Sequence, residues 1–175
     1  MAGGSERDQW LSAEELHQWK ALMALVTILP GRLDAQLKRD AGMNLFEYHV
    51  LVALSEAPHH LLVMSDLAAH SKGSLSRLSH AVSRLESAGW VRRQSCGGAG
   101  RRTQAHLTPA GMKHLERIAP GHVKEARRLV VDVLSARELA DLGAAARRIV
   151  AEADPDVAPS LQEGQSGSGI SRGNR

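Results

Sequence analysis

Between residues 74 and 85 hydroxyl and basic side chains alternate with aliphatic ones. Ser74, Ser76, Arg77, Ser79, His80 and Arg84 interleave with Leu75, Leu78, Val82 and Leu85. The leucines and valine recur at steps of three and four, which lines them along one side of a helix. The opposite side then holds short hydroxyls and cations and no carboxylate, whereas an ordinary solvated face mixes Glu with Lys. Short side chains let a helix backbone sit deep in a DNA major groove, and an arginine can pair with guanine O6 and N7 through both arms. Ser76, Arg77, Ser79 and His80 are therefore assigned to base edges, and Ser74 and Arg84 to neighbouring phosphates. Arg92 and Arg93 follow on a short extended segment and suit phosphates. Arg101 and Arg102 follow a Gly-rich tip, where a guanidinium can enter a narrow minor groove.

This is recognition chemistry rather than catalysis. No nucleophile, base and orienting acid occur at a motif spacing, and no phosphate-cradling loop is present, so neither an enzyme nor a bound cofactor is expected. No metal site is expected either. His59 and His60 are adjacent and cannot share one helix face, and no His-x3-His pair has acidic or thiol company.

Charge is distributed to match. The chain of 175 residues carries a net +3. From His70 to His106, however, there are seven Lys and Arg against Glu86 alone, leaving the rest net acidic. Such asymmetry points to a polyanion held against one surface. With Trp90 the one aromatic side chain near the basic region, a base-stacking platform for single strands or RNA is disfavoured, and double-stranded DNA is the expected partner. A 43% apolar composition supports a real core, and the single Cys96 excludes a disulfide framework. The sequence has no segment apolar and long enough to span a membrane and no signal-peptide core, so a cytoplasmic location is expected.

The elements that must position these residues can be read along the chain. Ser12–Glu15, Asn44–Glu47 and Ser135–Glu138 are capping boxes that open helices. The first helix is expected to stop at Pro30-Gly31, with a short one from Arg32 to Ala41. The second box opens an apolar helix to about Glu56, then Pro58 and a short strand near 59–63. Ser65 is expected to cap the next helix, and Lys72-Gly73 to make the turn into the basic one. Gly89 should end that helix in a left-handed conformation. Strands over 90–94 and 102–107 flank a flexible tip, and Thr108-Pro109 starts another helix. That helix is expected to break at Pro120-Gly121 before Val123, Ala126, Val130 and Val133 resume a stripe, and Leu139, Leu142, Ala146 and Ile149 stripe the last one.

The fold class is thus mainly α with a small β-hairpin: a winged helix–turn–helix domain (about 44–108) between N-terminal (about 12–41) and C-terminal (about 109–152) helices. Residues 1–10 and 154–175 read as flexible, leaving 11–153 as the folded domain. The terminal stripes exceed what so small a domain can cover, and a second copy is the usual partner.

Three segments carry a family resemblance: Met64-Ser-Asp-Leu-Ala68; Ser76-Arg-Leu-Ser-His-Ala-Val-Ser-Arg-Leu85 with Gly89-Trp-Val91; and Gly100-Arg-Arg-Thr103 leading to Leu107-Thr-Pro-Ala-Gly111. In this order the chain, from about Trp19 to Val150, resembles the MarR family of bacterial transcriptional regulators. The resemblance implies a homodimer joined by its terminal helices and bound to a pseudo-palindromic operator. It further implies a repressor released by a small ligand or by oxidation. It places Trp19, Tyr48 and His49 as candidate lining of a cavity for an aromatic effector. One departure is Ala99, where the family's wing usually carries an Asp that orients the groove-entering arginine. That substitution supports an alternative, a winged-helix module that docks proteins and binds DNA weakly.

Overall fold

The computed structural model describes residues 10–96 and 102–155. Among these the order is α1 (Ala13–Ala41), α2 (Leu45–Glu56), β1 (Leu61–Val63), α3 (Met64–His70), α4 (Leu75–Ser87), β2 (Val91–Cys96), β3 (Arg102–Leu107), α5 (Pro109–Ala126) and α6 (Ala136–Ala153). A 3-10 turn at Pro58–His60 leads into β1, and a π-helical turn at Arg127–Val131 extends α5. The sheet is antiparallel with β3 in the middle, Leu61 opposite His106 on one side and Val91 opposite Leu107 on the other.

The core gathers where α2, α3 and α4 meet the sheet and the first half of α5. Val50, Leu51 and Leu54 of α2 are fully buried, with Leu67 from α3, Leu78, Val82 and Leu85 from α4, and Val91 and Ala105 from the sheet. Because α2 is enclosed on several sides, its sequence is nearly continuous in apolar residues rather than striped. All three capping boxes form, each with its serine or asparagine accepting from the backbone N–H of the Glu three residues on.

Four local expectations fail. Pro30 does not end the first helix, and α1 runs unbroken to Ala41. Proline removes one intrahelical bond, from the carbonyl of Val26, but that residue is exposed to water, and packing of Leu37 in the core holds the continuing turns. Gly42, left-handed at φ 66°, closes the helix by donating to the Lys38 carbonyl. Pro120 likewise sits inside α5 without breaking it. Ser65 is not a cap: α3 begins at Met64 after Val63, and the serine hydroxyl donates to Asp66 at 3.0 Å. Leu75 lies off the buried stripe, 57% exposed, and Ala81 takes its place beside Leu78.

Candidate nucleic-acid interface

Helix α4 turns its apolar side to the core and leaves Ser74, Ser76, Arg77, Ser79, His80 and Arg84 exposed. Ser74 caps it, accepting from the Arg77 backbone N–H at 3.2 Å. A close approach at its start and a left-handed residue at its end set its angle to the rest of the fold. At its start, Lys72 takes a left-handed conformation (φ 55°), and Gly73 lies so near Phe46 that any Cβ would strike the ring. At its end, Gly89 is left-handed at φ 76°, as expected, and β2 follows at once. The hairpin is then fastened to α5. Thr108 caps that helix while its hydroxyl donates to the Gly89 and Trp90 carbonyls, and Gly111 leaves room for the Trp90 carbonyl oxygen. The Trp90 ring stacks on His114 with centroids 3.7 Å apart.

The cations differ in what holds them. The Arg77 guanidinium rests over the Phe46 ring, 4.2 Å from its centroid, a cation–π contact. Arg84 donates through Nε to the nearly buried carboxylate of Glu47 at 2.5 Å, while its own side chain stays 65% exposed. Glu47 thus serves two elements at once, because its other oxygen accepts from the Asn44 backbone N–H at the head of α2. Arg93 donates to Glu86 and to Ser83 and is half-buried. The Arg93 backbone N–H first, and its guanidinium second, hold the Glu86 carboxyl below the usual carboxylate range. Arg92 and Arg102 are exposed. Arg101, Ala99 and the hairpin tip lie outside the described residues.

The structure therefore gathers the serines, Arg77, His80 and Arg84 on one surface, with Arg92 and Arg102 on the adjoining strands. Sequence reading missed that Arg84 and Arg93 each have a carboxylate partner. Glu86 could have been found as the lone acid in a basic stretch, whereas Glu47 was legible only as a helix cap.

The candidate effector residues are not brought together. Trp19 is 49% exposed on the free half of α1. Tyr48 is buried and packs on His122 of α5, centroids 4.4 Å apart, and more loosely on His49 at 6.2 Å. His122 Nδ1 lies 3.1 Å from the Gln36 side-chain oxygen, and the Gln36 amide donates to Asp40 at 3.0 Å. Burial holds His122 below the ordinary imidazole value. His49 is lowered too, by the surrounding protein first and then by His122, Lys72 and Arg77, although its surface is exposed. The cluster therefore joins α1, α2 and α5. An open groove of about 870 Å³ lies elsewhere, along α5 and the π-helical turn, with Ala119, Pro120 and Val123 in its wall. Among the described residues no group of His, Cys, Asp or Glu could hold a metal ion, and no helix is long and apolar enough to cross a membrane.

A helix–turn–helix followed by a β-hairpin that pairs with a short preceding strand, carried between long flanking helices, defines a winged helix–turn–helix protein. A profile of the MarR family matches residues 41–102. Among solved structures the chain is similar to Sco3205, a MarR family transcriptional regulator from Streptomyces coelicolor in complex with DNA. That likeness is 44% identical over 83% of this chain and 91% of the other, at a TM-score of 0.80. AbsC, a MarR family transcriptional regulator of the same organism, is 34% identical over 82% and 96%, at 0.76. Sco5413, from the same organism, shares the fold at 22% identity over 81% and 96%, at 0.69. No curated protein matches the chain. The chain belongs to the MarR family of transcriptional regulators.

Proposed function

We propose that two copies of this chain bind one pseudo-palindromic duplex and repress transcription there until a small aromatic effector releases them. The observation that carries the reading is the face of α4: Ser76, Arg77, Ser79 and His80 all exposed, with no acid among them, on a helix whose other side is sealed in the core. Such a face fits the major groove, and the exposed Arg102 at the start of β3 is the described wing cation suited to the adjoining minor groove. The 44% identical Sco3205 was crystallised with DNA, which favours the same partner here.

Dimerisation is supported by unpartnered apolar surface. Leu16, Trp19, Met23, Val26 and Ile28 of α1 are exposed, as are Leu142 and Ile149 of α6, and α6 buries no residue in the single chain. Large apolar side chains left exposed along two helices suit an interface with a second copy. For release by an effector we point to the Tyr48–His122–Gln36 cluster, which joins α1, α2 and α5, because a molecule inserted there would move α2, against which α4 packs.

Selection of bound duplexes from a random pool tests the reading. Two inverted half-sites with centres roughly 10 bp apart are expected, together with a steep loss of affinity as salt rises. A single asymmetric half-site, or indifference to duplexes at low salt, would overturn it.

A further inference from the structure

We propose that Arg93 is the positioning residue of the wing, clamped to the recognition helix by Glu86 and Ser83, rather than a contact to DNA phosphate. The inference rests on the DNA-binding reading above and assigns how the hairpin is aimed.

Both oxygens of one carboxylate hold one residue of β2. Glu86 Oε1 accepts from the Arg93 backbone N–H at 3.0 Å and Oε2 accepts from Nε at 2.8 Å, with Nη2 of the same guanidinium 2.7 Å from Oε2 as an ion pair. Nη2 also donates to the Ser83 hydroxyl at 3.1 Å, and that hydroxyl donates onward to the Ser79 carbonyl at 2.9 Å. Ser83 and Glu86 are three residues apart on α4 and so share one side of the helix. The clamp is half-shielded from water, with the Arg93 and Glu86 side chains 34% and 35% exposed. Across the sheet Arg93 sits opposite Ala105 of the central strand, which is fully buried. Fixing β2 at this register fixes the line along which the hairpin leaves the domain. A guanidinium already neutralised by a carboxylate adds little to the count of phosphates engaged, whereas its neighbour Arg92 is exposed and alternates to the other side of the strand. Lysine cannot replace such a clamp, because one ammonium does not reproduce the planar fork that spans carboxylate and hydroxyl.

The test uses the full chain and an operator duplex selected with the wild type, with Arg93→Lys, Glu86→Gln, the double variant and Arg93→Gln. Thermal melting first establishes that each is folded. Arg93→Lys and Glu86→Gln are each expected to bind the operator about tenfold more weakly. The double variant should be no weaker than either single one, since both act through one interaction. The salt slope should stay at the wild-type value in all four, Arg93→Gln included. Hydroxyl-radical footprints should lose protection in the flanking minor grooves and keep it at the half-site centres, a pattern general destabilisation would not give. The proposal is overturned if Arg93→Lys binds as the wild type does, or if Arg93→Gln lowers the salt slope by about one phosphate contact. It is overturned equally if Glu86→Gln leaves affinity and footprint unchanged. A wild type that selects no duplex sinks the DNA-binding reading itself and the clamp's role with it, a failure distinct from those of the variants.

Discussion

On the proposed reading, Arg77 would exchange its contact with the Phe46 ring for a base. Its contact with Phe46 is worth about 0.5–1 kcal/mol at an exposed site. A bidentate pair with guanine is worth ~1–3 kcal/mol of discrimination, so exchange favours the base when the right one is offered. We therefore expect Arg77→Ala to lower the ratio of operator to random-duplex affinity by about 1–3 kcal/mol while barely changing binding to random DNA. Equal losses on both duplexes, measured by titration, would exclude base reading by this residue. Glu47 matters in a different way. It is nearly buried, caps α2 and holds Arg84, so Glu47→Ala should lower stability by about 1–3 kcal/mol in a denaturant melt. Arg84→Ala should cost less than Glu47→Ala, because the arginine is largely exposed and its half of the pair is screened by solvent.

At the level of elements, the junction between hairpin and α5 admits no side chain at Gly111. A Cβ there would meet the Trp90 carbonyl oxygen, which is backbone and cannot rotate away, so Gly111→Ala should cost about 1–3 kcal/mol and loosen the wing. The α1–α2–α5 junction predicts a pH dependence. Burial lowers His122 below its ordinary value of 6.5, so between the folded and unfolded values the unfolded chain binds more protons. The corresponding stability is present above pH 6.5 and is lost as pH falls through the folded value. His49 and His114, also lowered, act in the same direction. Melting temperature should therefore fall on acidification below about pH 6.5, and His122→Gln should flatten that slope. A slope unchanged by His122→Gln would show that the other two histidines carry the effect.

For the whole molecule, α6 and the first half of α1 carry apolar residues that the single chain leaves in water. Leu142→Glu with Ile149→Glu places two charges on that surface. On the proposed dimer reading it should shift the protein from dimer to monomer in sedimentation, and operator affinity should fall by far more than affinity for an isolated half-site, because the second half-site would be lost. An unchanged sedimentation coefficient would overturn the proposal that this surface joins two copies.

Much of this architecture was legible in the sequence because its signals are local. The three capping boxes, the left-handed Gly89, the Thr108-Pro109 helix start and the step of three and four through Leu78, Val82 and Leu85 all depend on neighbours within one or two turns. So did the charge-free-of-acid face of α4. The readings at Pro30, Ser65 and Leu75 failed because each weighed a local preference that packing overrode: a continuing helix anchored by Leu37, a start set by the preceding strand, a stripe rotated toward Ala81. Which cations have partners was decided only by the tertiary structure. Arg84 and Glu47 are 37 residues apart in sequence, and Gln36 and His122 are 86 apart. Periodicity records which way a side chain points along its own element. Whether a carboxylate, an aromatic ring or water meets it there depends on how distant elements pack, and no local pattern contains that information.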